Sequence, residues 1–301
     1  MGRAVGQVSA DLIDRSRLPG ESGAKLPALT ELLALAENCL KRGAPNNPGL
    51  ATASRSFRML NSAVSRPMRV AVLGESNSGK STLANFLAEE MALPALPVAN
   101  TRVPTLLRYA STPYVEAVYE TGARSTLSRR DTVSPSAIFR LEVGLPSERL
   151  QLFEVLDFPG SANPLFRTDI LAVLNHRIDA AIWATVATQA WRETERLAWS
   201  GLPQRIRHRG VLAITHCDLI SDAHDASRLE ARMLAVSAAN FHSLHFVGLG
   251  SFGEKMSAGP ATHAALSDAV IQIALNFQRE RTERAAAIAK RLAGKLLLRL
   301  G

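Results

Sequence analysis

The residues whose types and spacing could do chemistry begin with Gly74-Glu75-Ser76-Asn77-Ser78-Gly79-Lys80-Ser81, a complete GxxxxGKS phosphate loop. The two glycines let the backbone wrap closely enough for successive N–H groups to face one anion, and a helix behind them would aim its positive end at the same point. Lys80 adds a mobile charge for β and γ phosphates. Ser81 offers a hydroxyl to Mg²⁺, which prefers octahedral oxygen ligands and takes few of them from a protein. Gly74, Glu75, Ser76, Asn77, Ser78, Gly79, Lys80, Ser81 and Thr82 therefore form the first candidate nucleotide-binding set, with Lys80 and Ser81 also candidates for catalysis.

Two shorter motifs follow in order, Asp157-Phe158-Pro159-Gly160 and Thr215-His216-Cys217-Asp218, each after an apolar run. Asp157 would hold Mg²⁺ through a water. The Gly160 N–H would sense a γ-phosphate, since only a residue without a side chain lets backbone come that near. Asp218 would accept two hydrogen bonds from guanine N1 and N2, which adenine cannot supply. Lone matches to either motif are common, but three in the correct order on three strand ends point to GTP binding. Thr215, His216 and Ser251 complete the candidate nucleotide set, and Ser81 and Asp157 are the first metal candidates.

The elements that must position these groups are legible as periodicity. Arg69 to Leu73, Ala180 to Val186 and Gly210 to Thr215 read as buried strands, and Leu244 to Leu249 as a short last one. Leu106 to Tyr109 and Tyr114 to Tyr119 read as shorter strands, and Ala123 to Ser136 as a polar excursion carrying Arg124, Arg129 and Arg130. Ile138 to Leu145 and Leu150 to Leu156, around Pro146-Ser147-Glu148, carry a hairpin signal feeding Asp157. Helical spacing covers 81 to 88, 193 to 199 and 226 to 239, and a proline-rich loop fills Leu93 to Thr105. Strands alternating with helices predict an α/β fold, a mostly parallel sheet with its ligand at the strands' carboxyl ends.

Helices flank this core. Leu26 to Leu40 and Ala51 to Val64 precede it, and Ala261 to Leu300 follows, with Leu266, Val270, Ile273 and Phe277 on one stripe. The expected organisation is a flexible tail at 1–24, N-terminal helices at 25–66, the nucleotide-binding domain at 67–255 and a C-terminal amphipathic helix at 256–301, the flanking helices forming a small bundle.

Composition bounds the rest. The 301 residues, 47% hydrophobic and 21% charged, suffice for a full core. Lys plus Arg exceeds Asp plus Glu by 35 to 27, so anionic partners have to be considered, although a charge of +8 mainly serves solubility. Cys39 and Cys217 are far apart and lack metal spacing, which fits a reducing cytoplasm. Residues 1 to 20 lack the apolar core of a secretory signal, and the apolar stretches are too short to cross a bilayer. The expected location is cytoplasmic, with any membrane contact peripheral, at an inner membrane.

In these motifs, and in Thr101-Arg102-Val103-Pro104 and the long insertion before Asp157, the sequence resembles the dynamin superfamily of GTPases, in particular compact bacterial dynamin-like proteins, over about residues 68 to 251. The resemblance implies a Mg²⁺-dependent P-loop GTPase that binds GTP and GDP, dimerises with a second copy or a partner GTPase, and switches conformation, with nucleic acid an unlikely partner. Thr101 would complete the Mg²⁺ shell, Thr105 being the weaker candidate, and Thr101 and Gly160 would join Lys80 and Ser81 in catalysis. Three positions depart from the family pattern. Ser76 stands where dynamins carry the glutamine that positions the attacking water, Ser161 follows the DxxG motif without supplying one, and His216 replaces the usual lysine. Two rivals stay open: a nucleotide-gated switch or scaffold with little turnover, and an assembly GTPase on RNA or the ribosome.

Other features read as structural. Trp183, Trp191 and Trp199 are expected in the core, His242 and His245 as packing rather than metal ligands, and Arg279 to Arg284 as a solvated helix face. The basic end of the last helix, with Ile288, Leu292 and Leu296 on one side, would pack on the N-terminal helices in preference to lying on an anionic membrane.

Overall fold

The computed structural model describes residues 48–90, 93, 103–127, 138–159, 177–248 and 260–300. The expected helix at 26–40 and the loop segment carrying Thr101 lie outside these residues. The chain divides into two compact units, Pro67–Leu275 and a smaller one made of Met1–Arg66 with Asn276–Gly301.

The larger unit is built on nine strands: β1 (Met68–Gly74), β2 (Thr105–Tyr109), β3 (Tyr114–Tyr119), β4 (Arg124–Thr126), β5 (Ile138–Leu145), β6 (Phe153–Asp157), β7 (Ala180–Val186), β8 (Gly210–Thr215) and β9 (Ser243–Phe246). Their order in the sheet is β4-β3-β5-β2-β6-β1-β7-β8-β9. The five strands from β6 to β9 in this order are parallel. Strands buried on both faces need continuous apolar runs, and β1, β7 and β8 have them. The register sets Val72 beside Asp157, Gly74 beside Ala184 and Val186 beside Thr215. All three candidate motifs are thereby delivered to the carboxyl end of the parallel strands.

The predicted hairpin between Ile138–Leu145 and Leu150–Leu156 does not form. β2 lies between them, antiparallel to β6 and parallel to β5. Leu106 and Leu107 of β2 are fully buried in that slot, and the connection passes through a 3₁₀ turn at Glu148–Gln151. The turn signal is local, whereas the strand that buries the most apolar surface decides the pairing. β5 pairs instead with β3, and the polar excursion contains β4, which closes that edge.

An ionic ladder crosses this extension. Arg69 donates to Glu154, its cross-strand neighbour, at 2.9 Å; Arg108 lies 3.4 Å from both Glu154 and Glu142; Arg124 reaches Glu142 at 3.0 Å and Glu116 at 2.8 Å. Arg140 adds a further bond to Glu142 at 2.8 Å. Glu142 is fully buried. Burial alone would push its carboxyl up, but the Arg140 hydrogen bonds and the charges of Arg140, Arg124 and Arg108 hold it below the usual carboxylate range.

Helix α2 (Lys80–Ala88) follows the phosphate loop and buries Leu83, Ala84, Leu87 and Ala88. Helices α3 (Glu193–Ser200), α4 (Gln204–Arg207) and α5 (Ala223–Asn240) cross over between β7, β8 and β9. Trp183 and Trp199 are core residues as expected, edge to face at 6.1 Å, and Trp199 stacks on Phe241 at 4.3 Å.

In the smaller unit, helix α1 (Pro48–Ser65) starts on a proline, whose missing N–H costs nothing in a first turn. Its Phe57, Leu60 and Val64 pack against Ala285, Ala289 and Leu292 of α6 (Pro260–Leu300). Arg281, expected on a solvated face, turns inward and caps α1 by donating to the Val64 carbonyl at 2.8 Å and to that of Arg66. Earlier on α6, Leu266, Val270 and Ile273 are buried within the larger unit. Among the described residues no helix is long and apolar enough to cross a membrane.

Replacing Glu142 with alanine is expected to cost roughly 2–3 kcal/mol, less than the ~3–5 kcal/mol of a fully buried pair because Arg108 and Arg124 are partly hydrated. Urea unfolding measures it. Because the folded pKa is depressed, this stabilisation is present above the unfolded value of about 4.3 and fades as pH falls through the folded one, so the two proteins converge in acid. Equal midpoints at pH 7 would remove the ladder from the stabilising interactions.

Candidate nucleotide-binding site

The phosphate loop leaves β1 at Gly74, whose φ is 143° and where an added Cβ would lie 2.2 Å from the Ala184 carbonyl oxygen. No side chain fits between β1 and β7 there. Asn77 and Gly79 take φ of 61° and 80°, the left-handed turns that gather amides into a concave anion-binding surface. Gly79 then starts α2 without a side-chain cap, so the helix's first amides remain for a ligand.

Lys80 is buried under this loop, and its ammonium donates to the Glu75 carbonyl. Burial pushes its pKa below the usual lysine value, against the nearby charges of Asp157 and Glu75. The Ser81 hydroxyl donates to Asp157 Oδ2 at 2.7 Å. Asp157 is itself buried and pushed up to about 6 by that burial, with the Ser81 bond and the Lys80 charge opposing. Its Oδ1 is buried with no hydrogen-bond partner, as is Ser78 Oγ. A serine hydroxyl and a carboxylate in contact, with one carboxylate oxygen unused, suit a hard, oxygen-seeking cation such as Mg²⁺. Thr105 is the direct cross-strand partner of Asp157, and its hydroxyl is likewise buried and unpartnered.

Thr215 is fully buried, and its hydroxyl lies 3.0 Å from the Ser78 carbonyl and 3.1 Å from that of Thr185. It is a strut tying β8 and β7 to the phosphate loop. His216, with φ of 56°, breaks the strand and opens a 3₁₀ turn that carries Asp218 to the surface. Thr82 is half-buried in the first turn of α2, and Ser76 and Asn77 are exposed. Glu75 is turned sideways, accepting from the Thr194 hydroxyl at 3.0 Å and pairing with Arg192 at 3.1 Å. Thr101, Gly160 and Ser251 lie outside the described residues.

The loop after β7 is the part of the site that sequence reasoning missed. Glu195, 3% exposed, accepts from Trp183 Nε1 at 3.0 Å, the Thr185 hydroxyl at 3.0 Å and the Arg192 backbone N–H at 2.8 Å. A cavity of about 280 Å³ opens between Glu75–Ser78 on one side and Gln189, Arg192 and Glu195 on the other. A larger hollow of about 510 Å³ lies between Leu219–Asp222 and α5, but no phosphate-loop residue lines it, so the site is assigned on chemistry rather than volume. His245 is half-buried on β9 with Ser243 Oγ 3.1 Å away, and no metal-ligating cluster occurs among the described residues.

The sequence model of the family described as "Dynamin family" matches residues 70–138. The Isoniazid-induced protein IniC of Mycobacterium tuberculosis is 30% identical over 131 residues, which are 40% of this chain and 27% of that protein. Dynamin-like protein 2 of Campylobacter jejuni is 25% identical over 171 residues, 53% of this chain and again 27% of the relative. The chain thus matches about a quarter of the length of these curated relatives. A solved structure described as an oligomerised bacterial dynamin pair, with a mechanism for long-range sensing and tethering of membranes, shares the fold with a TM-score of 0.58. That superposition has 19% identity and covers 84% of this chain and 42% of the other.

Thr215→Val, which keeps the shape and removes the hydroxyl, is expected to cost about 1–2 kcal/mol and to speed hydrogen exchange in the phosphate loop; unchanged exchange would deny the strut. Cys217 gives a pH-dependent expectation. Its thiol is pushed up to about 11, by burial first and the Asp218 charge last, against a bond from the Val247 N–H. In a Cys39→Ser background its alkylation at pH 8 should run roughly 200-fold slower than that of a free thiol with pKa about 8.5, rising about tenfold per pH unit until pH 10.

Proposed function

We propose that the chain is a GTPase of the dynamin superfamily, whose family model its sequence matches over residues 70–138, and that it binds GTP with Mg²⁺ at the phosphate-loop pocket and hydrolyses it, nucleotide state driving dimerisation. The observation that carries the reading is the group of buried Lys80 and Asp157 with half-buried Ser81, Ser81 Oγ lying 2.7 Å from Asp157 and Asp157 Oδ1 unpartnered. Such an arrangement is costly without a ligand, and a metal-bound triphosphate would satisfy each member.

In this reading the backbone of Gly74 to Thr82 wraps the phosphates and Lys80 reaches the β and γ oxygens. Ser81 and Asp157 hold the cation, with Thr101 as the further ligand suggested by the resemblance. Mg²⁺ bound there would draw charge from the β and γ phosphates. Gly160 reports the γ-phosphate through its amide. Asp218 pairs with the guanine edge, His216 stacks near the base in place of a lysine stem, and Ser251 borders the same base pocket. Thr215 acts one step removed, by fixing the Ser78 carbonyl. The division into 1–24, 25–66, 67–255 and 256–301 belongs to the same proposal, as do a homodimer or partner GTPase and a peripheral seat at the inner membrane. Packing of α1 on α6 supports the small bundle of flanking helices.

A second reading, a slow nucleotide-gated switch, is favoured by one observation: Ser76 lies exposed at the mouth of the loop where the family's water-positioning glutamine is expected. Competition of GTP and ATP for a fluorescent GTP analogue, followed by single-turnover hydrolysis at rising protein concentration, separates the alternatives. GTP should win by roughly 100-fold and Asp218→Ala should erase that preference, while Lys80→Ala should abolish binding. Equal affinity for the two nucleotides would end the guanine assignment. A rate that rises with concentration selects the dimerising enzyme, and no turnover at any concentration selects the switch.

A further inference from the structure

Phosphoryl transfer to water builds charge on the γ-phosphoryl oxygens and on the β,γ-bridging oxygen, and a protein accelerates it chiefly by placing positive charge there. Lys80 is the phosphate loop's own cation. Neither position where the family pattern would supply a further catalytic group does so here, since Ser76 and Ser161 occupy them. A second cation nevertheless lines the cavity beside Glu75–Ser78, and it is Arg192.

The placement of Arg192 is built from both sides. Its backbone is fixed: its N–H donates to buried Glu195 at 2.8 Å, the preceding Trp191 takes φ of 58°, and the Trp191 N–H donates to the Thr185 hydroxyl at 3.2 Å. Its side chain is held differently. The guanidinium lies 3.1 Å from the Glu75 carboxylate and donates to Gln189 Oε1, with the side chain 51% exposed. A partly exposed ion pair of this kind is a modest tie, and the several negative charges of a triphosphate offer a stronger partner than one carboxylate. A fixed stem with a cationic tip paired to a phosphate-loop residue, beside the cavity that Glu75–Ser78 line, suits a charge-stabilising arginine.

We propose that Arg192 is a catalytic residue of the GTPase reaction proposed above, on which this inference rests: it exchanges its pairing with Glu75 for the γ-phosphoryl and bridging oxygens of GTP. As the water oxygen bonds to the γ-phosphorus, the bond from that phosphorus to the bridging oxygen breaks and its electron pair stays on GDP. The water gives up its proton to the phosphate formed, and Arg192 meets the growing charge with two N–H groups without being deprotonated.

The test uses the full chain with Mg²⁺, mant-GDP and aluminium fluoride, which together mimic the transferring phosphoryl group. Wild type should bind mant-GDP and gain fluorescence on adding fluoride. Arg192→Ala should bind mant-GDP within about threefold of wild type, lose the fluoride response, and hydrolyse GTP at least ~10³-fold more slowly in single turnover. Thr194→Val, which removes the other bond to the Glu75 carboxylate, should keep both the response and the turnover. If the contacts of Glu75 merely braced the loop, Thr194→Val and Arg192→Ala would behave alike, which overturns the proposal. A full fluoride response in Arg192→Ala, or none in a wild type that binds mant-GDP, also overturns it while leaving nucleotide binding intact. Failure of wild type to bind mant-GDP at all would instead remove the underlying GTPase reading, and this assignment with it.

Discussion

A lysine and an aspartate share one buried place at the carboxyl ends of the parallel strands, and most of the larger unit is arranged around that fact. Burial works against both charges: it lowers the Lys80 pKa and pushes Asp157 up to about 6, each held partly in check by the other. Two oxygens beside them, Asp157 Oδ1 and Ser78 Oγ, are left without partners. The sheet tolerates this arrangement because its apolar core is large. Val70, Ala71, Val72, Leu156, Ile182, Leu212 and Ile214 are all essentially inaccessible on the strands that bear these groups. A polar network incompletely satisfied within such a core is a place prepared for something else to complete it.

Strain gathers in the same place. Of the non-glycine residues with positive φ, Asn77, Trp191 and His216 lie in the phosphate loop, in the loop facing it and in the turn before Asp218. Each costs backbone energy that only surrounding contacts can justify. Those contacts are visible: the Thr185 hydroxyl takes the Trp191 N–H, Glu195 takes the Arg192 N–H, and Thr215 ties the Ser78 carbonyl to β8. The site is therefore a set of loops fixed at their roots, with half-buried Glu75 and exposed Arg192 meeting at their tips.

The extension beyond β6 meets a different constraint. Arg69, Glu154, Arg108, Glu142, Arg124 and Glu116 form an unbroken chain of ion pairs from β1 to the edge strands. Part of the same extension places Thr105 opposite Asp157. The pairing that stiffens the sheet edge is thus continuous with the strand that borders the candidate metal group, which gives the extension a physical route to influence the site.

Sequence alone determined what is local or periodic. The phosphate loop, the buried runs at Ala180–Val186 and Gly210–Thr215, the α/β alternation and the place of Asp157 and Asp218 at strand ends all follow from residue type and spacing within a few positions. Tertiary structure decided what depends on partners distant along the chain. It put β2 between two strands whose turn signal suggested a hairpin, and it turned Arg281 from a solvated face into a cap for α1. It also brought Arg192 against Glu75, 117 positions earlier in the chain, through a carboxylate at Glu195 that no periodicity marks. The reason is the same each time: a hydrogen-bond donor or an apolar strand carries no label for its partner, and that choice is made only when the whole core competes for burial.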